Sequence, residues 1–426
     1  MLEVTRIRDQ KAEVAAALAK RGWKADKLAI LDKVITVDDE RKRLQTINDG
    51  YLSERNTLSK EIGNLFKSGK QEEANAAKGK VEELKAKISE TESQLQTAVT
   101  QLEEMLLEIP NAPHSSVPDG QTDEDNEISK PWDQPLPELD PSALPHWDLA
   151  TKYNILDMKL GVKITGAGFP VFRGKGSRLQ RALINFFLDE ATAAGFEEIV
   201  PPLLVNEASA RGTGQLPDKD GQMYYVEKDD LYLIPTAEVP ITNIYRNEIV
   251  KEADFPIKLT GYTQCFRREA GSYGADVKGL NRVHQFDKVE IVQFQHPDKS
   301  YETLDKMVAH VEGLLQKLEL PYRILRLCGG DLSAASALTY DLEVYSAAQK
   351  RWLEVSSVSN FETYQANRLK LRYTDKEGKK RLAHTLNGSA LALARIIAAL
   401  LENNQTAEGI KIPAALQKYT GFDMIN

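Results

Sequence analysis

Val81, Leu84, Ile88, Thr91, Leu95, Ala98, Leu102 and Met105 follow one another at alternating three- and four-residue intervals. That is the period of a left-handed coiled-coil seam, and no strand places its inward residues at such an interval. Upstream, Leu44, Ile47, Tyr51, Leu58, Ile62 and Leu65 form a second stripe, interrupted at Arg55. Between the stripes lies Lys67-Ser68-Gly69-Lys70, whose glycine can reverse the chain. The two stripes therefore predict an antiparallel helical hairpin over residues 40–108 that needs no partner chain. Ahead of it, Ile7, Val14 and Leu18 followed by Gly22 predict a short, glycine-capped helix.

Ile109-Pro110-Asn111-Ala112-Pro113 ends the helical period. A Pro- and Asp-rich stretch then runs to about Pro145 and predicts an exposed linker or wrapping segment. A boundary at residue 112 divides the chain into a helical-arm domain, 1–112, and a larger domain, 113–426. In the latter, Tyr224-Tyr225-Val226, Leu231-Tyr232-Leu233-Ile234 and Val289-Glu290-Ile291-Val292-Gln293-Phe294 read as strands, and 178–194, 300–318 and 389–402 as helices. Strands and helices do not alternate regularly, so the expected class is α+β: an antiparallel sheet flanked by helices, carrying the coiled-coil arm.

Charge changes how the arm reads. The chain has a formal net charge of -8, which excludes a uniformly basic nucleic-acid coat but leaves room for a local basic patch. Lys60, Lys67, Lys70, Lys78, Lys80, Lys85 and Lys87 gather toward the predicted tip, with Arg55 behind them, while Glu103, Glu104 and Glu108 lie at the base. Lysines so placed can meet phosphates, although a spacer, a dimerisation coil or a solvated face fits the same spacing. Two cysteines, Cys265 and Cys328, stand far apart and indicate neither a disulfide framework nor a CxxC zinc site. The amino-terminal residues lack a signal-peptide core, and no apolar run approaches the roughly 20 residues that span a bilayer, so a cytoplasmic protein without a membrane segment is expected.

The common nucleotide and hydrolase fingerprints are missing. There is no GxxxxGK[ST], HExxH or GxSxG, and neither Gly166-Ala167-Gly168 nor Gly212-Thr213-Gly214 completes GxGxxG. The larger domain instead contains Cys265-Phe266-Arg267-Arg268-Glu269-Ala270-Gly271, then Gly274 and Asn281-Arg282-Val283-His284-Gln285-Phe286. Such arginines can grip a phosphate bidentately, and a neighbouring aromatic can stack on a base; taken alone, Arg267 could equally pair with a surface carboxylate and Phe286 belong to the core. Among the six histidines, His284 is the one near these segments in sequence, with packing its expected role.

Gly195-Phe196-Glu197-Glu198-Ile199-Val200-Pro201-Pro202-Leu203-Leu204, the Arg267 segment, and Asn387-Gly388-Ser389-Ala390-Leu391-Ala392-Leu393-Ala394-Arg395 resemble, in order, motifs 1, 2 and 3 of the class II aminoacyl-tRNA synthetases. With Gly271-Ser272-Tyr273-Gly274, Thr236-Ala237-Glu238, Thr213-Gly214-Gln215-Leu216-Pro217 and Glu354-Val355-Ser356-Ser357, the set resembles the bacterial-type seryl-tRNA synthetase family. So do Arg55-Asn56, Ser59-Lys60-Glu61-Ile62-Gly63 and Ile109-Pro110-Asn111 in the arm. The resemblance implies ATP-dependent activation of L-serine and transfer to tRNA(Ser), with a selenocysteine tRNA as a second candidate, by a homodimer built across motif 1 at Pro202.

Residue by residue, it implies an ATP site of Arg267, Arg268, Glu269, Val283, Phe286, Glu354, Val355, Ser356, Ser357 and Arg395. Arg267 would clamp the α-phosphate and touch the substrate carboxylate, Arg395 would reach the γ-phosphate, and Glu354 and Ser357 would hold Mg²⁺. A serine site would comprise Thr236, Ala237, Glu238, Arg267, Glu290, Asn387 and Ser389, and Arg55, Lys60, Lys67, Lys70, Lys78 and Lys80 would contact tRNA. Ala390 and Ala394 stand where that family frequently has glycine, and Arg268 where it often has serine. On the residues themselves, a ligase delivering its amino acid to a carrier protein, or a non-catalytic coiled-coil adaptor, remains an alternative. Ser389 could likewise be a helix N-cap.

Overall fold

A computed structural model describes residues 1–219, 221–269 and 278–426. Gly271 to Gly274 of the motif 2 loop lie outside the described residues. The chain forms two compact units, one of Leu2–Ala19 with Trp23–Pro110, the other of Met1, Lys20–Gly22 and Asn111–Asn426.

In the first unit, α1 (Val4–Asp9) and α2 (Lys11–Lys20) precede two long helices, α3 (Ile30–Lys67) and α4 (Gln71–Glu108), which pack together over their length. Gly69 makes the reversal with φ +72°, a left-handed conformation a side chain would strain. The first long helix begins ten residues before the expected start, because Leu31 and Val34 are wholly buried near α1 and α2. Asp38 is buried with them and receives Arg8 at 2.9 Å, Arg41 at 2.8 Å and Lys42 at 2.9 Å. Burial works against its charge, yet the bonds from Lys42, Arg41 and Arg8 outweigh it and bring the carboxyl down to about 2.

The expected seam of α4 holds at Leu84, Ile88, Thr91, Ala98 and Leu102, then slips at the base, where Leu106 rather than Met105 is buried. A 3.6-residue helix drifts in this way against a 3.5-residue repeat. The seam also extends toward the turn through Ala74 and Ala77, whose small side chains let the helices approach. Tyr51 and Phe66 meet the facing helix through Lys87 and Lys78, whose ammonium groups lie 5.9 and 4.7 Å from the ring centres. The lysines from Lys60 to Lys87 are all exposed.

In the second unit the principal elements are β1 (Glu127–Lys130), α5 (His146–Lys152), α6 (Gly174–Ala193), β2 (Glu197–Glu198), α7 (Glu238–Asn243), β3 (Ile257–Phe266), β4 (Gln285–Gln295), α8 (Ser300–Lys317), β5 (Tyr322–Arg326), β6 (Leu338–Ser346), β7 (Arg351–Asn360), β8 (His384–Ala392) and α9 (Leu393–Asn403). The eight strands form one sheet in the order β1-β5-β6-β7-β8-β4-β3-β2, antiparallel except between β2 and β3. The amphipathic helices α6, α8 and α9 share a core with the sheet, in which Leu183, Phe187, Leu304, Val311, Val344 and Ile396 are fully buried.

One expectation is sharpened and one corrected here. The stretch expected to be an exposed linker or wrapping segment contributes an exposed edge strand, β1, antiparallel to β5. The helix expected from residue 389 begins only at Leu393, and Asn387 to Ala392 belong to β8. An apolar run this short does not distinguish strand from helix by period. The outcome is decided by neighbours: β8 pairs with β4 on one side and β7 on the other, and Gly388 lets Val358 approach so closely that a Cβ would sit 3.1 Å from its methyls. Ser389 is therefore a strand residue and not a helix cap.

Candidate active site

β3 and β4 are antiparallel neighbours in which Phe266 faces Gln285, so Arg267, one residue past the strand, is bound to His284. The Arg267 N–H donates to the His284 carbonyl at 2.9 Å, and the Arg267 carbonyl lies 3.0 Å from His284 Nδ1. Held by its backbone, Arg267 lays its guanidinium over the Phe286 ring, 5.2 Å from the centre, and among the described residues its side chain makes one long bond, from Nε to Pro235 O at 3.4 Å. The guanidinium therefore keeps donors to offer to an anion. Glu269 accepts from Arg282 Nε at 2.5 Å, and Arg395 of α9 donates to Asn281 O at 3.0 Å and Glu354 O at 2.6 Å.

These side chains line a single cavity of about 620 Å³ together with Val283, Glu354, Val355, Ser356, Ser357, Thr236, Glu238, Glu290, Asn387 and Ser389. Thus the structure brings together all but two of the residues expected for ATP and serine. Ala237 is fully buried in the apolar cluster of Ile241 and Leu259, and Arg268 is exposed with its N–H on Gln222 O at 2.9 Å; neither lines the cavity. Arm residues Arg55, Lys60, Lys67, Lys70, Lys78 and Lys80 belong to the other unit.

One end of the cavity lining is a buried polar set. Glu290, 1% exposed, pairs with Lys288 Nζ at 2.7 Å, and the same ammonium donates to Thr236 Oγ1 at 2.8 Å. Glu238 accepts from Gln365 Nε2 at 2.6 Å, and Gln365 accepts from Thr385 at 2.7 Å. Burial, and then the negative charge of Glu290, push the Glu238 carboxyl up to about 7, against the pull of Gln365 and Lys288. Lys288 was not singled out from the sequence. Its signal was there: a lysine and a glutamate two apart on one strand share one face, beside the apolar Val289, Ile291 and Val292, where neither is tolerated without a partner once buried.

A second acidic group lines the cavity near Glu354 and Ser357. Asp341 is the β6 residue paired with Ser357 of β7, and burial followed by the charge of Glu354 pushes its carboxyl well above the ordinary range. Its Oδ1 is buried without a hydrogen-bond partner among the described residues. Among the described residues no group of three or more His, Cys, Asp or Glu side chains is arranged to hold a metal ion alone. The donors present are oxygens, and an orphaned carboxylate oxygen beside them suits a hard cation whose remaining ligands come from phosphates and water.

A family model for the seryl-tRNA synthetase N-terminal domain matches residues 1–113, and one for the tRNA synthetase class II core domain (G, H, P, S and T) matches residues 224–404. The serine–tRNA ligase of Salinibacter ruber is 49% identical, covering 100% of this chain and 99% of its own length. That of Chlorobium phaeobacteroides is 46% identical, covering 100% of both. Among solved structures, seryl-tRNA synthetase from Pyrococcus horikoshii complexed with ATP superposes with a TM-score of 0.90 at 34% identity, over 100% of this chain and 99% of that one. Prolyl-tRNA synthetase from Giardia lamblia, at 17% identity and a TM-score of 0.56 over 63% of this chain and 54% of that one, shares the fold alone. Matched over its full length by serine–tRNA ligases and by a solved seryl-tRNA synthetase, the chain belongs to the seryl-tRNA synthetase family.

Proposed function

We propose that the chain activates L-serine with ATP and transfers the seryl group to the 3′ end of tRNA(Ser), with a selenocysteine tRNA as a second acceptor. The observation that carries this reading is one cavity in which a buried Glu238, Glu290 and Thr236 set adjoins Arg267, Glu354 and Arg395. In the first step a serine carboxylate oxygen attacks the α-phosphorus and pyrophosphate leaves. In the second, a ribose hydroxyl of the terminal adenosine attacks the seryl carbonyl and AMP leaves. Arg267 stabilises the charge that grows on the α-phosphate, while Phe286 and Val283 hold the base and Arg395 the γ-phosphate. Glu354 and Ser357 would hold Mg²⁺, which neutralises phosphate charge when bound.

Glu290 and Glu238 receive the α-ammonium, and Thr236, Asn387 and Ser389 surround the hydroxyl. Alanine is rejected because these polar groups would be left unpaired, and threonine must be excluded by the size of its added methyl. The purified protein is expected to catalyse serine-dependent ATP–pyrophosphate exchange and to exchange poorly with alanine or threonine. Exchange with some other amino acid but not with serine would overturn the specificity and leave the fold untouched.

A pH dependence follows. Below about 7 Glu238 carries a proton and cannot face an ammonium, so kcat/KM for serine should fall about tenfold per pH unit on the acid side of 7. Raised above its ordinary 4.5, this carboxyl stabilises the empty protein below 4.5, and that contribution is lost as pH rises through about 7. The thermal shift caused by serine should accordingly grow from about pH 6 to about pH 8. Glu238→Gln should remove the acid limb while lowering the value at neutral pH; an acid limb that persists in this variant contradicts the assignment.

An exposed Val200, at 88%, beside exposed Pro202 supports a homodimer across motif 1. Both cysteines are buried and unpaired, which supports a reducing compartment, and we place the protein in the cytoplasm. Among the described residues no helix is long and apolar enough to cross a membrane.

A further inference from the structure

His146, far from the motifs in sequence, lies wholly buried beneath the chain that leads out of the motif 2 loop. Its Nε2 accepts the Leu280 N–H at 2.8 Å. A backbone N–H can only donate, so the imidazole proton sits on Nδ1, which donates to Glu402 Oε1 at 2.7 Å. The His146 N–H reaches the same oxygen at 2.9 Å, and Ser346 donates to the other carboxylate oxygen. Gln349 continues the network, donating to Glu402 at 3.0 Å and accepting from Asn281 Nδ2 at 2.8 Å.

Both ends of this network belong to α9. Glu402 lies two turns after Arg395, and Arg395 donates to the carbonyl of Asn281, the residue after Leu280. The segment 279–281 is thus gripped twice: by His146 and Gln349 through Glu402, and by Arg395 directly. The fit is close, since a Cβ on Gly279 would stand 2.2 Å from His146 Nε2. We propose that His146 is a positioning residue for the ATP side of the cavity, fixing Leu280 and Asn281 so that the Asn281 carbonyl aims the Arg395 guanidinium at the polyphosphate. The inference rests on the reading of Arg395 as a phosphate ligand.

Two near-isosteric variants separate positioning from packing. Asparagine places an amide nitrogen where Nδ1 stands and keeps the Glu402 bond but loses the acceptor for Leu280. Glutamine places an oxygen near Nε2 and restores that acceptor. His146→Asn should raise the Kd of ATP–Mg²⁺, measured by calorimetry, and its KM in serine-dependent exchange about tenfold, with KM for serine within about twofold. His146→Gln should return the ATP values to within about threefold. Added to Arg395→Ala, His146→Asn should have no further effect on the ATP Kd.

An unchanged ATP Kd in folded His146→Asn, equal effects on ATP and serine, or additivity with Arg395→Ala overturns the proposal. Should His146→Asn not fold, Gln349→Leu, at a half-buried turn position, removes the acceptor for Asn281 and one donor to Glu402 while leaving the His146 bonds to Leu280 and Glu402 in place. It should weaken ATP about threefold without changing serine, and an unchanged ATP Kd there is equally decisive against the proposal. Because ATP binding is read directly, a protein that binds ATP but fails to exchange with serine contradicts the proposed function and not the role of His146.

Discussion

Replacing Arg267 by alanine is expected to lower kcat/KM for serine-dependent ATP–pyrophosphate exchange by about 10³-fold or more, with a melting temperature close to that of the parent protein. Both halves follow from how the side chain is held. Its position is set by backbone bonds to His284, which alanine preserves, and its guanidinium is exposed, bonded weakly to Pro235 O and stacked on Phe286. Little folding energy is therefore at stake. What is lost is a preorganised pair of donors aimed at charge that grows only as the carboxylate attacks; a 10³-fold loss corresponds to about 4 kcal/mol of transition-state stabilisation. Arg267→Lys keeps the charge and loses the fork, so it should recover only part of the activity. A folded Arg267→Ala protein within about tenfold of the parent would remove Arg267 from the chemistry.

The second large effect is expected from the arm. Tyr51 of α3 and Lys87 of α4 face each other across the hairpin, so residues 52–86 can be replaced by a short turn while the paired stem is kept. Charging of tRNA(Ser) should then fall to background, and serine-dependent exchange should stay within about twofold, because none of the removed residues lines the cavity. Neutralising Lys60, Lys67, Lys78 and Lys80 in the intact arm should weaken tRNA binding and flatten its salt dependence by about 0.7–0.9 in the log–log slope for each phosphate left without its lysine. Full charging by the truncated protein would return the hairpin to the role of a spacer.

The hairpin was legible because helix pairing is written locally. A three–four repeat declares both the helix and its inward face within a few turns, and the glycine of the turn sits where φ is positive. Its errors had local causes too: Asp38 hides the start of α3 by placing a buried carboxylate in the stripe, and the seam slips to Leu106 at the base. Motif chemistry was legible for a different reason. Arg267, Glu290, Glu354 and Arg395 are residue types that a phosphate and ammonium site needs and stand in segments that resemble a known family, although only Glu290 and Arg395 lie on elements that the pattern predicts.

Other parts depended on contacts between distant segments. The last four residues of β8 were mistaken for the first turn of α9 because their strand character comes from β4 and β7 on either side, not from their own period. Lys288, Asp341 and His146 are ordinary residues in the sequence, and their roles appear only when Glu290, Ser357 and Leu280 are placed against them. By itself the sequence determined the helical arm and the α+β class, since these follow from periodicity, while the residues proposed to face ATP and serine were reached through motif resemblance. Only the tertiary structure decided which buried partners hold those groups, the register of the strands that carry them and the raised carboxyl of Glu238. A buried charge takes its state from neighbours in space, and no spacing along the chain encodes them.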